Sequence, residues 1–426
     1  MQLNGWDTVS LASTEMVNRS LAQCSQQLIE RFAFRDATLS IAGEFTRWRI
    51  VPGGSPRMLV LKLDLANLVV QGLPGYPQLT VNQAAAVVEV GLKLLPIPGQ
   101  PGCHALSFDF NTARGEEGQP AVNPIDLEVS NGALNEMMRT LILNALCACL
   151  AANADQIRYV LATLGTSNPA KASWLTPKQS DWVYVETTDS RSYLAVLSTT
   201  DERDISDLPR AVDPNVLAKP GTAVLGIAND LLLRKALIPY LGSAFSAPNA
   251  FRYDTAHGRI LSTRQIKLKP EKHGAWRVQP YIDSLCVRIV NGRLEVDVAG
   301  HGDLPMGLRV DYTVKPRMPF TFDPNTRVAT FAKDKHPKVT KRLSLAISWL
   351  DTLIGWFVRF VTGFVNQSME RLIRSVASGL HVVNALPPEV SGWTGLQAFA
   401  CDDAQLEQCL VIRDQQSMQP AQQAAA

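Results

Sequence analysis

The sequence lacks any large excess of charge of one sign. It holds 41 lysines and arginines against 39 aspartates and glutamates, which gives a formal net charge of +2. A protein that binds nucleic acid through the phosphate backbone concentrates basic charge on one face, and this balance argues against that class. We therefore expect no nucleic-acid partner.

Paired cysteines and an export signal are also missing. The seven cysteines are an odd number at irregular spacings, with no Cys-x-x-Cys motif, so we expect reduced, mostly buried thiols in a cytosolic protein. Residues 1–7 do not have the basic and then apolar layout of a secretory signal. We expect a cytoplasmic protein, with release together with partner proteins as the open alternative.

The motifs of common catalytic sites are missing too. There is no phosphate-binding loop, no His-Glu-x-x-His zinc helix and no Gly-x-Ser-x-Gly nucleophile elbow. Gly300, Gly302 and Gly307 have the wrong spacing for a dinucleotide-binding loop, and His301 lies near Asp303 without a visible nucleophile. We expect a protein that is not an enzyme and that has no catalytic residues, no cofactor and no metal site.

What the sequence does contain is a long apolar stretch from Thr340 to Leu380. Apolar residues recur there every three or four positions, in two adjacent rows, which predicts a helix of roughly 60 Å that is apolar around most of its circumference. A membrane span is the alternative, but Asp351 and Arg359 would lie in its interior. We therefore predict a long helix wrapped by other parts of the chain.

Elsewhere, three helix candidates, residues 8–32, 133–164 and 222–245, alternate with stretches of period two. Apolar side chains alternate with charged ones in residues 59–65, 88–94 and 285–298, and Asn291-Gly292 predicts a type I′ hairpin turn. Strands with one apolar and one polar face are typical of an antiparallel sheet covered on one side. The pattern predicts an α+β fold.

The order helix, strands, helix occurs twice, which predicts a duplicated architecture. We assign the first unit to residues 1–165, a connector with its own hairpin to 166–221, and the second unit to 222–382. A C-terminal strand segment follows at 383–413, and a disordered tail at 414–426, which is low in apolar bulk.

Several short stretches resemble the clostridial forty-seven-kilodalton (P-47) accessory-protein family of neurotoxin gene clusters. They are residues 4–9, 17–18, 48–51, 53–55, 192–197, 204–208 and 237–239. That family is similar to the tubular lipid-binding (TULIP) superfamily, in which a curved antiparallel sheet wraps a long helix. The resemblance implies two TULIP-like units and a lipid-interacting accessory role.

Two hypotheses follow for the function. The first is an apolar-ligand binder whose partners are a lipid or a membrane surface. The second is a scaffold with filled troughs that binds related TULIP-like proteins or a toxin encoded nearby. Candidate contacts are the apolar residues Trp349, Leu353, Trp356, Phe357, Phe360, Leu231 and Leu232, and the head-group cations Arg264, Lys267, Lys269 and Lys272.

Overall fold

A computed structural model gives the fold of most of the chain. It describes residues 3–37, 39–73, 75, 77–110, 122–129, 134–165, 174–219, 221–268, 270–273, 276–303, 309–326, 328–332, 334–342, 392–396, 399 and 401–414. Of the predicted long helix, positions 343–380 lie outside these residues, and so does the predicted tail from residue 415 onwards.

The described chain up to residue 199 contains ten strands and two α-helices. In chain order they are β1 (Thr8–Ser13), α1 (Thr14–Gln23), β2 (Arg31–Arg35), β3 (Ser40–Ser55), β4 (Met58–Gln71), β5 (Gln78–Pro96), β6 (His104–Asp109), β7 (Val122–Val129), α2 (Glu136–Ala152), β8 (Val160–Leu164), β9 (Gln179–Glu186) and β10 (Ser192–Thr199).

The described chain from residue 200 onwards is mostly strand. A short helical region, α3 (Asn229–Leu231), a π-helical segment (Leu232–Leu237) and α4 (Ile238–Ala244), follows β11 (Ala223–Ala228). The later strands are β12 (Phe251–Asp254), β13 (Arg259–Ser262), β14 (Ile266–Lys267), β15 (Glu271–His273), β16 (Trp276–Val290), β17 (Arg293–Asp303), β18 (Arg309–Lys315), β19 (Arg317–Asp323), β20 (Val328–Phe331), β21 (Lys338–Arg342), β22 (Gly392–Trp393), β23 (Asp403–Leu406) and β24 (Cys409–Asp414).

These strands form three antiparallel sheets in the described chain. The first follows the order β2-β3-β4-β5-β6-β8-β22, and β7 also pairs with β5. The second follows β12-β13-β16-β17-β18-β21, with the shorter strands β14, β15, β19 and β20 attached. Between them lies the central sheet, β23-β24-β11-β1-β10-β9, which takes strands from four separate stretches of the chain.

The central sheet has matching halves about its β1–β11 pair. Thr8 pairs with Ile227 and Ala12 with Ala223 across this antiparallel pair. The hairpin β9–β10 flanks β1, and the hairpin β23–β24 flanks β11 in the same manner. A helix begins directly after each inner strand, at Thr14 and at Asn229. The two helix starts are 229 − 14 = 215 residues apart.

The inner strands are buried on both faces. Every residue of β10, β11 and β24 is buried. Because side chains alternate across a strand, Leu194 and Val196 pack into the core of the first sheet, while Tyr193, Ala195 and Leu197 pack into the core of the second. The central sheet therefore separates two hydrophobic cores.

Four predicted helices begin or end at the wrong residue. Residues 8–13 and 223–228 form strands β1 and β11, because they pair with each other in the centre of the sheet and are almost wholly buried there. The second predicted helix ends at Ala152, where the amide of Asn153 bonds to the Ala151 and Cys149 carbonyls, and residues 160–164 form β8. At the predicted long helix, Thr340 to Arg342 belong to β21, which pairs with β18.

Other predictions are confirmed. Antiparallel sheets dominate, the predicted hairpin after residue 180 is present as β9–β10, and Asn291 and Gly292 have the positive φ angles of 48° and 71° that a type I′ turn requires. The described helices are few and short, and none of them has the length and apolar content needed to cross a bilayer.

Candidate functional site: an arginine cleft beside an apolar slot

The predicted lipid contacts are not brought together in the described chain. Leu231 and Leu232 are buried in the core of the second half. Arg264 is exposed and donates to the Pro248 carbonyl at 3.3 Å, and Lys267 is exposed on β14. Lys272 belongs to β15, and its side chain lies outside the described part. Trp349, Leu353, Trp356, Phe357, Phe360 and Lys269 also fall outside the described residues.

A large open cleft lies between α1, β3 and the starts of β10 and β11. It encloses about 900 Å³. Four arginines contribute to its walls, and Glu15 is the one carboxylate among the described residues that line it. We call it the arginine cleft, and its arginines are Arg19, Arg47, Arg49 and Arg191.

Local hydrogen bonds fix helix α1 as one wall of the arginine cleft. The Ser13 hydroxyl accepts from the Met16 amide at 3.3 Å, which caps the helix N-terminus. The Asn18 side chain donates to the Ile50 carbonyl at 2.8 Å and accepts from the Ile50 amide at 2.7 Å, which ties the helix to β3. Residues four apart share a helix face, so Glu15 and Arg19 both face the cleft.

Two of the four arginines are held by carboxylates. One Arg49 nitrogen, Nη2, donates to both Asp64 oxygens at 2.9 and 3.0 Å. Arg191 donates to Asp189 at 2.7 Å and also to the Tyr193 hydroxyl and the Leu217 carbonyl. Burial lowers the pKa of Arg191, but the hydrogen bond that Arg191 donates to Asp189 and the nearby Tyr193 outweigh it, so the pKa is raised.

The other two arginines are available to a ligand. The side chains of Arg19 and Arg47 are exposed, and neither side chain has an ion pair or hydrogen bond with another described residue. Arginine remains protonated in proteins and presents planar donors that match carboxylate and phosphate oxygens. The cleft therefore presents two uncommitted cations beside a pair of fixed ones.

A smaller apolar slot of about 230 Å³ adjoins the arginine cleft. The two share Ala22 and Arg47. The rest of the slot is lined by the apolar residues Leu21, Leu28, Ile29, Phe45 and Trp48 and by the polar residues Ser25, Glu30 and Thr46. Trp48 is only 4% exposed, yet its indole Nε1 has no hydrogen-bond partner among the described residues. Its ring packs against Phe45 at 5.5 Å between centroids. A buried donor without an acceptor is rare in proteins.

A second open groove, of about 530 Å³, separates α2 from β7. Ile125 lines it and is 49% exposed, and Met137 and Leu141 of α2 are 57% and 37% exposed. These are three of the four large apolar side chains that are exposed in the described chain. Arg139 also lines this groove, and its Nε atom is buried without a hydrogen-bond partner in the described part. We call this surface the α2–β7 groove.

His301 lies in strand β17 and is only 5% exposed. Its Nδ1 is 2.7 Å from Asp283, its Nε2 is 3.9 Å from Asp303, and its ring stacks on Tyr281 at 4.9 Å. Neither a serine nor a cysteine, which could act as a nucleophile, is among these contacts. No cluster of three potential metal ligands occurs within the described ranges.

Sequence patterns did not reveal the arginine cleft. Its walls come from residues 13–22, 47–52, 190–193 and 221–222, which are brought together by pairing in the central sheet and by the hydrogen bonds between Asn18 of α1 and Ile50 of β3. One signal was present, since Arg47 and Arg49 are two apart on a strand whose intervening residue is the buried Trp48. That alternation places both arginines on the outer face.

Comparison with known proteins gives consistent matches along the chain. The family model described as "OrfX-like: Protein OrfX2/OrfX3/P47" matches residues 3–382. Protein P47 of Clostridium botulinum (strain Kyoto / Type A2) is 26% identical over 384 residues, which cover 85% of this chain and 89% of the relative. Protein OrfX3 of the same organism is 24% identical over 341 residues, which cover 71% and 69%.

Two solved structures share the fold. The structure of P47 from C. botulinum A2 has a TM-score of 0.77 at 23% identity and covers 97% of this chain and 98% of that one. P47 of C. botulinum E1 has a TM-score of 0.76 at 19% identity, with coverages of 97% and 99%. At these identities the structural likeness describes the fold alone.

Proposed function

The chain belongs to the OrfX-like family of OrfX2, OrfX3 and P47 proteins, and from this premise we propose that it is a non-enzymatic protein that binds an anionic lipid. The observation that carries the proposal is the junction of the arginine cleft with the apolar slot at Ala22 and Arg47. A lipid needs both environments, since its headgroup is charged and its chain is apolar.

The proposal includes the TULIP type of architecture with an internal duplication. The matching halves of the central sheet support it, since each half supplies one inner strand, a helix start and a flanking hairpin. An accessory role beside a toxin-like gene cluster, and release with partner proteins after cytoplasmic synthesis, rest on the family resemblance alone.

A lipid-transfer assay tests this function. The protein is incubated with vesicles of phosphatidylcholine that contain phosphatidylglycerol, separated by gel filtration, and analysed for lipid in the protein fraction. We expect the wild-type protein to carry phosphatidylglycerol. The double variant Arg19→Glu/Arg47→Glu should carry little, because it replaces both uncommitted cations by carboxylates that repel the headgroup.

The matched control is Arg252→Glu/Arg293→Glu, which makes the same change in net charge at two exposed positions of the second half. This control should carry lipid as the wild type does. A wild-type protein that takes up no lipid, or equal loading of both double variants, would overturn the proposal.

A second candidate function is that of a complex subunit, and the α2–β7 groove is the observation that favours it. We propose that an apolar helix face of a related protein would cover Ile125, Met137 and Leu141, with a carboxylate opposite Arg139, whose Nε lacks a partner in the described chain. Met137→Glu/Leu141→Glu should then abolish co-purification with that partner. A protein that loads lipid while staying monomeric and partnerless would exclude this function.

A further inference from the structure

We propose that the natural ligand is a single-chain amphiphile with an anionic oxygen headgroup, bound with its head between Arg19 and Arg47 and its chain in the apolar slot. This inference rests on the proposed function and narrows the class of ligand. Its basis is the size of the slot, the number of free cations and the unpartnered indole of Trp48.

The volume of the slot limits how many acyl chains of the ligand it can hold. Its volume is about 230 Å³, against about 900 Å³ for the arginine cleft. A water molecule occupies roughly 30 Å³ in the liquid, and a methylene group is of similar size, so the slot holds about eight such groups. That is the proximal part of one acyl chain, and a second chain, such as that of phosphatidylglycerol, would have to lie outside the slot.

The two arginines without a partner in the described chain, Arg19 and Arg47, indicate that the headgroup of the ligand is negatively charged. Arg47 lines both spaces, so it lies where a headgroup joins its chain, and Arg19 projects from α1 into the same cleft. Asp64 and Asp189 already form ion pairs with Arg49 and Arg191. Two cations, Arg19 and Arg47, therefore remain for the ligand. A single carboxylate or phosphate, with two or more acceptor oxygens, satisfies that pair.

Trp48 supplies the third argument, and it concerns the position of an acceptor. Trp48 lines the slot, and its buried Nε1 donor has no acceptor among the described residues. A buried donor is costly to leave unpaired. An oxygen near the head of the ligand would provide the acceptor, whereas a pure hydrocarbon would not.

Calorimetric titration with three ligands of equal chain length tests the inference. The ligands are dodecanoate, dodecyl phosphate and dodecanol, used below their aggregation limits. We expect both anions to bind and the alcohol to bind at least about tenfold more weakly, because it loses charge-assisted hydrogen bonds. The two anionic arms separate a fatty acid source from a phosphorylated one.

A plugging variant tests the role of the slot. Ala22 is exposed on α1 and lines both spaces, so Ala22→Phe should obstruct the junction without disturbing a core. We expect it to weaken binding of both anions about tenfold or more. Ala152→Phe, at an exposed alanine of α2, is the control and should bind normally, and thermal melts check that both variants fold.

The outcomes separate this inference from the proposed function. If the protein carries phosphatidylglycerol from vesicles but binds neither anion, the lipid-binding function stands and the single-chain inference is wrong. If dodecanol binds as tightly as dodecanoate, or if Ala22→Phe has no effect, the placement of head and chain is wrong. If no lipid and no anion binds, both proposals fail.

Discussion

The helix starts that follow β1 and β11 occupy equivalent places in the central sheet, yet one is open and the other is closed. Arg19 and Arg234 are 234 − 19 = 215 residues apart, the same offset that relates the two helix starts. Arg19 faces the arginine cleft without a partner in the described chain. The Nη2 atom of Arg234 lies 3.7 Å from a carboxylate oxygen of Asp7 and 3.5 Å from one of Asp230. The guanidinium carbon of Arg234 lies 5.9 Å from the centroid of the Tyr253 ring.

The difference shows how one position can serve two purposes. In the second half the arginine interacts with Asp7, which is 1% exposed and precedes β1, so it helps to join the two halves. In the first half the equivalent arginine is left for a ligand. Of these two helix starts, only the first should therefore bind an anion.

The largest effect is expected from Asp7→Ala, which disrupts the closed site. Asp7 accepts hydrogen bonds from the Thr200 amide at 2.7 Å, the Thr200 hydroxyl at 2.8 Å and Arg203 at 2.8 Å. Its removal leaves two partly buried arginines without their shared carboxylate, which should lower the free energy of unfolding by about 3–5 kcal/mol. Urea denaturation measures this loss, and a change below about 1 kcal/mol would contradict the joining role.

A smaller but more specific effect comes from comparing Arg234→Ala with Arg19→Ala. Arg234→Ala should cost about 1–3 kcal/mol, because Asp7 and the Tyr253 ring lose a cation in a partly buried site. Arg19→Ala should change stability by less than about 0.5 kcal/mol, as is usual for an exposed residue without partners. Equal losses in the two variants would remove the distinction between open and closed.

The smallest effect concerns the thiols. Cys24 and Cys286 are half-buried, one in each half, while the other five cysteines are buried. Burial raises the pKa of Cys147 to about 12 and that of Cys149 to about 11, so both should resist a thiol reagent at neutral pH. Cys24 lies between the slot residues Ala22 and Ser25, so dodecanoate should slow its modification a few-fold.

Cys286 supplies the internal reference for that experiment, because it lies in β16 of the second half. Peptide mass spectrometry after timed labelling distinguishes the two sites. Slowing at both cysteines would indicate a general tightening of the protein rather than occupation of the slot. Slowing at Cys286 alone would place the ligand in the second half and would contradict the account.

Part of this fold could be predicted from the sequence, because some patterns depend only on residues that are close together in the chain. The alternation in residues 59–65 and the Asn291-Gly292 turn each report on immediate neighbours, and both predictions are confirmed. The same logic misassigned β1 and β11, whose buried residues on both faces do not show a clear period of two next to a helix. Their assignment depends on pairing with each other across more than two hundred residues.

The candidate site was less predictable than the fold for the same reason. Arg19 and Arg47 are ordinary exposed cations in the sequence, and only the Asn18–Ile50 hydrogen bonds bring helix α1 to β3 and make them neighbours. The predicted aromatic contacts, such as Trp356, remain predictions outside the described residues. A site assembled by long-range pairing leaves no spacing that sequence analysis alone would detect.

Native mass spectrometry of the protein with dodecanoate tests the central claim most directly. The account predicts one bound dodecanoate per chain for the wild type and for Arg252→Glu/Arg293→Glu, and none for Arg19→Glu/Arg47→Glu. A bound ligand that persists in Arg19→Glu/Arg47→Glu at the wild-type level would contradict the claim that the open first half, and not the closed second half, holds the ligand.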